Sequence, residues 1–104
     1  MKVHNKLVRD RIPQIIAGNG GVAQTRQLTS DKEYIEALLL KLIEEANEAQ
    51  QSPNVEELAD ITEVIDALLV ALNITPEELR AVQQTKAEKN GRFIERTFLI
   101  STEG

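Results

Sequence analysis

The chain has 104 residues, 17 Asp plus Glu against 12 Lys plus Arg, no Cys, no Trp, one Tyr and two Phe. That length suits one domain over residues 1–104, though a chain this short buries only about two-thirds of its unfolded surface and is marginal alone. The absence of cysteine excludes a disulfide scaffold, thiol catalysis and Cys-ligated zinc, and a net charge of −5 argues against a nucleic-acid module.

No apolar run reaches the ~18 residues of a membrane span, and no signal-peptide core opens the chain. The expectation is a cytoplasmic protein with neither a membrane nor a nucleic-acid partner. From the N-terminus, residues 8–16 read as a short helix, with Asp10 as its cap, Pro13 in its first turn and Gly18 as its stop. Ala17-Gly18-Asn19-Gly20-Gly21 separates this unit from the rest, and residues 24–28 are extended at best.

A second helix starts at Ser30, with Glu33 completing a capping box, and runs to about Gln51. Ser52-Pro53-Asn54 breaks it, and Asn54 caps a third helix that is apolar almost continuously to Leu72. Thr75, Pro76 and Glu78 open a fourth helix, which ends near Asn90-Gly91. Residues 93–100 have strand character and are expected to pair with 24–28 as a minor β ribbon. The second and third helices are joined by a very short turn, so they must be antiparallel neighbours. The expected class is all-α: a helical hairpin completed into a bundle by oligomerisation.

Helical-wheel arithmetic at ~100° per residue separates ordinary acids from unusual ones. With Leu58 as reference, Ile61, Ile65, Leu68, Leu69 and Leu72 form an apolar stripe that Val64, Ala67 and Ala71 widen. Glu57 falls between Val64 and Leu68, and Asp60 between Ala67 and Ala71, so two carboxylates lie inside the stripe. Burying an uncompensated carboxylate costs several kcal/mol, so both need a cation, a donor or a proton.

In the second helix the buried stripe is Ile35, Leu38, Leu39, Leu42 and Ala46. Glu45 lies on its edge, Glu48 just beyond, and Glu44 opposite. Across the hairpin turn Glu45 and Glu48 meet Glu57 and Asp60 at heights that agree to about one turn. Four carboxylates with no His or Cys among them select a hard cation, Mg²⁺ first and Mn²⁺ as the alternative. The competing explanations are a solvated acidic face for 44–48 and a capping role for Glu57.

At these residues the chain resembles the MazG-like all-α nucleoside triphosphate pyrophosphohydrolases, whose pattern is Glu-Glu-x-x-Glu followed by Glu-x-x-Asp. The matching residues are Glu44-Glu45-Ala46-Asn47-Glu48 and Glu57-Leu58-Ala59-Asp60. Within that superfamily it is most similar to the phosphoribosyl-ATP pyrophosphohydrolase-like subgroup. Asn5 to Pro13 matches that subgroup's opening Asn-Lys-Leu-Val-Arg-Asp-Lys-Ile-Pro, with Arg11 for Lys, and Lys86, Lys89, Gly91 and Phe93 match its Lys-x-x-Lys-x-Gly-x-Phe segment.

The resemblance implies hydrolysis between the α and β phosphates of a nucleoside triphosphate, giving a monophosphate and pyrophosphate in a homodimer or homotetramer. It assigns Glu45, Glu48, Glu57 and Asp60 as metal ligands and Glu44, Glu45 and Glu48 as catalytic carboxylates, with Glu44 a ligand or a water-orienting base. Lys86, Lys89 and Arg92, and near the start Lys6, Arg9 and Arg11, are the candidate phosphate-binding cations. Against this, Lys86 and Lys89 also suit a helix C-terminus, and Arg9 suits an ion pair with Asp10.

Two other functions remain in play. One is hydrolysis of phosphoribosyl-ATP, from which the chain departs where it has Glu63-Val64-Ile65-Asp66 in place of a Tyr-His-like pair. The other is a non-catalytic helical oligomerisation or regulatory module.

Overall fold

Three short side chains start the long helices. Ser30, Asn54 and Thr75 each stand in extended backbone and accept a hydrogen bond from the N–H three residues on, at 3.3, 3.0 and 3.0 Å. The structure, a computed structural model, describes residues 1–104. Its helices are α1 (Ile12–Gly18), α2 (Asp31–Gln51), α3 (Val55–Ala71) and α4 (Pro76–Asn90), and it has no strand. The chain forms two compact units, Met1–Asn73 and Ile74–Gly104.

In the first unit α2 and α3 pack as an antiparallel hairpin across Ser52-Pro53-Asn54. Its core is Leu38 of α2 against Val64 and Leu68 of α3, with Leu7, Tyr34, Ile35, Leu42, Ala67 and Ala71 around it. Leu38 is 3% exposed, and burying such a side chain contributes about 1.5–3 kcal/mol. Leu58, the reference residue of the expected stripe, is exposed, as are Leu39 and Leu72. The packing seam of α3 runs through Val64, Ala67, Leu68 and Ala71, Leu69 is buried beside it, and Leu58 and Leu72 are left uncovered.

The first helix begins later than its sequence suggests. Residues 8–11 are not helical, Arg11 is the N-cap without a side-chain bond, and Asp10 caps nothing. Pro13 is the reason: lacking an N–H, it fits only the first turn, which draws the start of α1 to Ile12.

In the second unit α4 opens on a complete capping box, with Glu78 reaching back to the Thr75 N–H at 3.4 Å. It stops at Gly91, whose φ of 83° and ψ of −172° lie in a region open only to glycine, rather than in the left-handed helical region. The expected β ribbon does not form. Residues 24–28 and 93–100 carry no strand pairing, and Arg96, at φ 60°, closes a turn onto the Phe93 carbonyl that interrupts the second run. An extended segment without a paired neighbour has no ladder to hold it as a strand.

Candidate metal centre

Leu38 and Glu45 are seven residues apart on α2, two turns on one face, so the face that buries Leu38 also buries Glu45. On α3, Asp60 and Glu57 precede the buried Val64 by four and seven residues and share its face. The hairpin therefore brings Glu45, Glu57 and Asp60 together, each with a carboxylate oxygen within 4.8 Å of the others. Glu45 is only 7% exposed, well inside the edge position expected from the wheel.

Two of these groups are incompletely satisfied. Glu45 Oε2 and Glu57 Oε2 are buried and make no hydrogen bond. A buried acceptor left unpaired costs about 1–3 kcal/mol, so both oxygens require an explanation. Capping does not supply it for Glu57. Its backbone N–H donates to Asn54 Oδ1 at 3.0 Å, but its carboxylate turns inward and does not return to the cap.

Cations approach from two directions. On α2, Lys41 Nζ lies 3.1 Å from Glu44 Oε2 and 3.4 Å from Glu45 Oε1. From the N-terminal arm, residues 1–11, Lys6 Nζ donates to Glu44 Oε1 and Arg9 Nη2 to Asp60 Oδ1, both at 2.6 Å. Arg9 thus pairs with Asp60 and not with Asp10. Glu44 lies under the arm, where each of its oxygens accepts from a lysine, and it lines a cleft with Asn5, Lys6 and Lys41.

The environments of the adjacent glutamates push their acidities apart. The Lys6 hydrogen bond, reinforced by Lys41 and opposed by burial, holds the Glu44 carboxyl below its ordinary value. Burial raises Glu45, the Glu48 and Asp60 charges add to this, and Lys41 opposes it. Lys6 is raised by its bond to Glu44.

The chain matches no protein-family model, no curated protein and no solved structure.

The donor set is oxygen only, with unpaired lone pairs on Glu45 and Glu57 turned inward, and it fits a hard divalent cation. Beside it opens a cleft of about 430 Å³, whose walls include Arg9, Arg11 and Tyr34 together with Glu45, Asp60 and Glu63. Glu48, expected among the ligands, is exposed and stands outside the three-carboxylate group; it acts on Glu45 through its charge. Lys86 and Lys89 lie exposed on α4 and Arg92 just beyond it, in the second unit, where Arg92 donates to Gln84 at 3.0 Å. Sequence reasoning missed Lys41, although its spacing of three and four residues from Glu44 and Glu45 is the ion-pair spacing of a helix.

Proposed function

We propose that Glu45, Glu57 and Asp60 hold a divalent cation, Mg²⁺ ahead of Mn²⁺, and that the chain hydrolyses a nucleoside triphosphate between its α and β phosphates. The observation that carries this reading is the pair of buried, unpartnered oxygens, Glu45 Oε2 and Glu57 Oε2, in a carboxylate group beside an open cleft. The resemblance of the 44–48 and 57–60 motifs to the MazG-like pyrophosphohydrolases supports it and supplies the reaction.

A cation bound there neutralises phosphate oxygens and lowers the pKa of an attacking water. The chain's own groups do the rest. Arg9 and Arg11, on the cleft wall, bind phosphate oxygens as fixed cations. Glu44, hydrogen-bonded by Lys41 on the same helix, accepts a hydrogen bond from the water and orients it, while the exposed Glu48 is the freer carboxylate to take its proton. The water oxygen bonds to phosphorus, the bridging P–O bond breaks, and monophosphate and pyrophosphate leave.

Self-association belongs to the same proposal. Leu39, Leu40 and Ile43 of α2 are 47%, 68% and 58% exposed, and Leu58 and Val70 of α3 are 59% and 78% exposed. Apolar surface of this kind suits a second copy of the chain, as a homodimer or homotetramer.

Incubation with Mg²⁺ and a panel of nucleoside triphosphates, with pyrophosphate measured, tests the activity. Release that disappears in Glu57→Gln and Asp60→Asn is the expected result. No release from any triphosphate, with metal bound, overturns the enzymatic reading and favours the helical oligomerisation module.

A further inference from the structure

The N-terminal arm has a role that the metal and the nucleotide together define. Residues 1–11 form no helix or strand, yet the arm is fixed to the hairpin at one apolar point, Leu7, which packs against the Leu38, Val64 and Leu68 cluster. Its two cations flank that anchor in sequence, Lys6 on Glu44 and Arg9 on Asp60. Both are solvent-accessible pairs; the Arg9 and Asp60 side chains are 56% and 38% exposed. Such pairs hold weakly and exchange partners easily.

The arm nevertheless leaves the deepest oxygens untouched, since Glu45 Oε2 and Glu57 Oε2 have no partner while Lys6 and Arg9 are in place. Arg9 and a divalent cation therefore compete for Asp60, and only the cation has free lone pairs waiting for it. The released guanidinium does not leave the region, because Leu7 tethers it two residues away and Arg9 already lines the cleft beside Asp60.

We infer that Lys6 and Arg9 are exchangeable counter-cations: they neutralise Glu44 and Asp60 in the metal-free protein, and are transferred to the phosphates of an incoming polyphosphate ester when a divalent cation takes the carboxylates. The inference rests on the metal reading above. It makes metal and polyphosphate mutually dependent, because the metal frees the cations that the polyphosphate needs. A net charge of −5 then does not repel the ligand from the cleft.

Mn²⁺ binding, followed by the paramagnetic resonance of the free ion, tests this on wild type, Lys6→Gln, Arg9→Gln and a control, Lys2→Gln. Lys2 carries the same charge on the same arm and makes no ion pair. Removing a competing surface pair tightens Mn²⁺ about two- to fivefold in Lys6→Gln and Arg9→Gln, and leaves Lys2→Gln unchanged.

With Mg²⁺ saturating, the same two variants lose about fivefold or more in affinity for a triphosphate whose α,β-bridging oxygen is replaced by methylene. Unchanged or weaker Mn²⁺ binding in both variants, or equal tightening in Lys2→Gln, overturns the exchange while leaving the metal site standing. Failure of the wild type to bind Mn²⁺ removes the metal reading and the exchange with it.

Discussion

Replacing Glu45 by Gln separates a structural carboxylate from one kept for a metal. In the metal-free protein Glu45 is 7% exposed with an unpartnered oxygen, a burden of about 1–3 kcal/mol. Lys41, 3.4 Å from the other oxygen, returns about 1 kcal/mol. Gln at this position carries no charge, is not repelled by the neighbouring Glu57 and Asp60 carboxylates and offers them an amide donor, so the protein in EDTA at pH 7 is stabilised by about 1 kcal/mol, or about 4–8 °C in Tm for a domain of this size.

With Mg²⁺ at about 100 times its Kd the wild type gains about 2.7 kcal/mol and the variant little, so the order reverses. Urea unfolding followed by helical circular dichroism, with and without Mg²⁺, measures both differences.

The pH dependence fixes the sign. Glu45 titrates above its ordinary value of 4.5 in the folded chain. The folded state thus binds more protons than the unfolded one between 4.5 and the raised value, and stability falls as pH rises through that window. The metal-free advantage of Glu45→Gln is full above the window and vanishes below 4.5. A variant less stable than wild type in EDTA at pH 7, or an advantage that persists at pH 4, refutes the reasoning.

Glu57→Gln and Asp60→Asn each lower pyrophosphate release by about a hundredfold or more while keeping wild-type helix content, checked by coupled assay and circular dichroism. Ile43→Glu places a charge in the exposed apolar surface of α2 and shifts the sedimentation coefficient to that of a monomer. Leu38→Ala opens a cavity at the most buried side chain and costs about 2–5 kcal/mol in urea unfolding.

The helices were legible because local chemistry writes their ends. Ser30, Asn54 and Thr75 cap where their hydroxyl or amide oxygen reaches the third N–H, and the short Ser52-Pro53-Asn54 turn leaves α2 and α3 no arrangement but antiparallel. The convergence of Glu45, Glu57 and Asp60 follows from the same spacing. What escaped the sequence is non-local.

The path of the arm depends on Leu7 finding the hairpin core and on Lys6 and Arg9 finding Glu44 and Asp60, at separations of 38 and 51 residues that no periodicity encodes. The burial of Leu58 failed for a related reason: a stripe spanning half a helix does not say which part of it one neighbour covers. Residues 93–100 have the composition of a strand, but composition does not provide a partner.

The acidic excess acquires a location through these contacts. Around the three clustered carboxylates and Glu44 stand three cations, Lys6, Arg9 and Lys41, and Glu48 adds a further negative charge to Glu45, so the metal-free site stays net negative and leaves two buried oxygens unpaired. On the proposed reading, a divalent cation offsets this deficit just as Arg9 loses its partner. The charge needed to hold a polyphosphate then arises from exchange of partners and needs no basic surface, which a chain with 17 acidic and 12 basic residues has little means to supply.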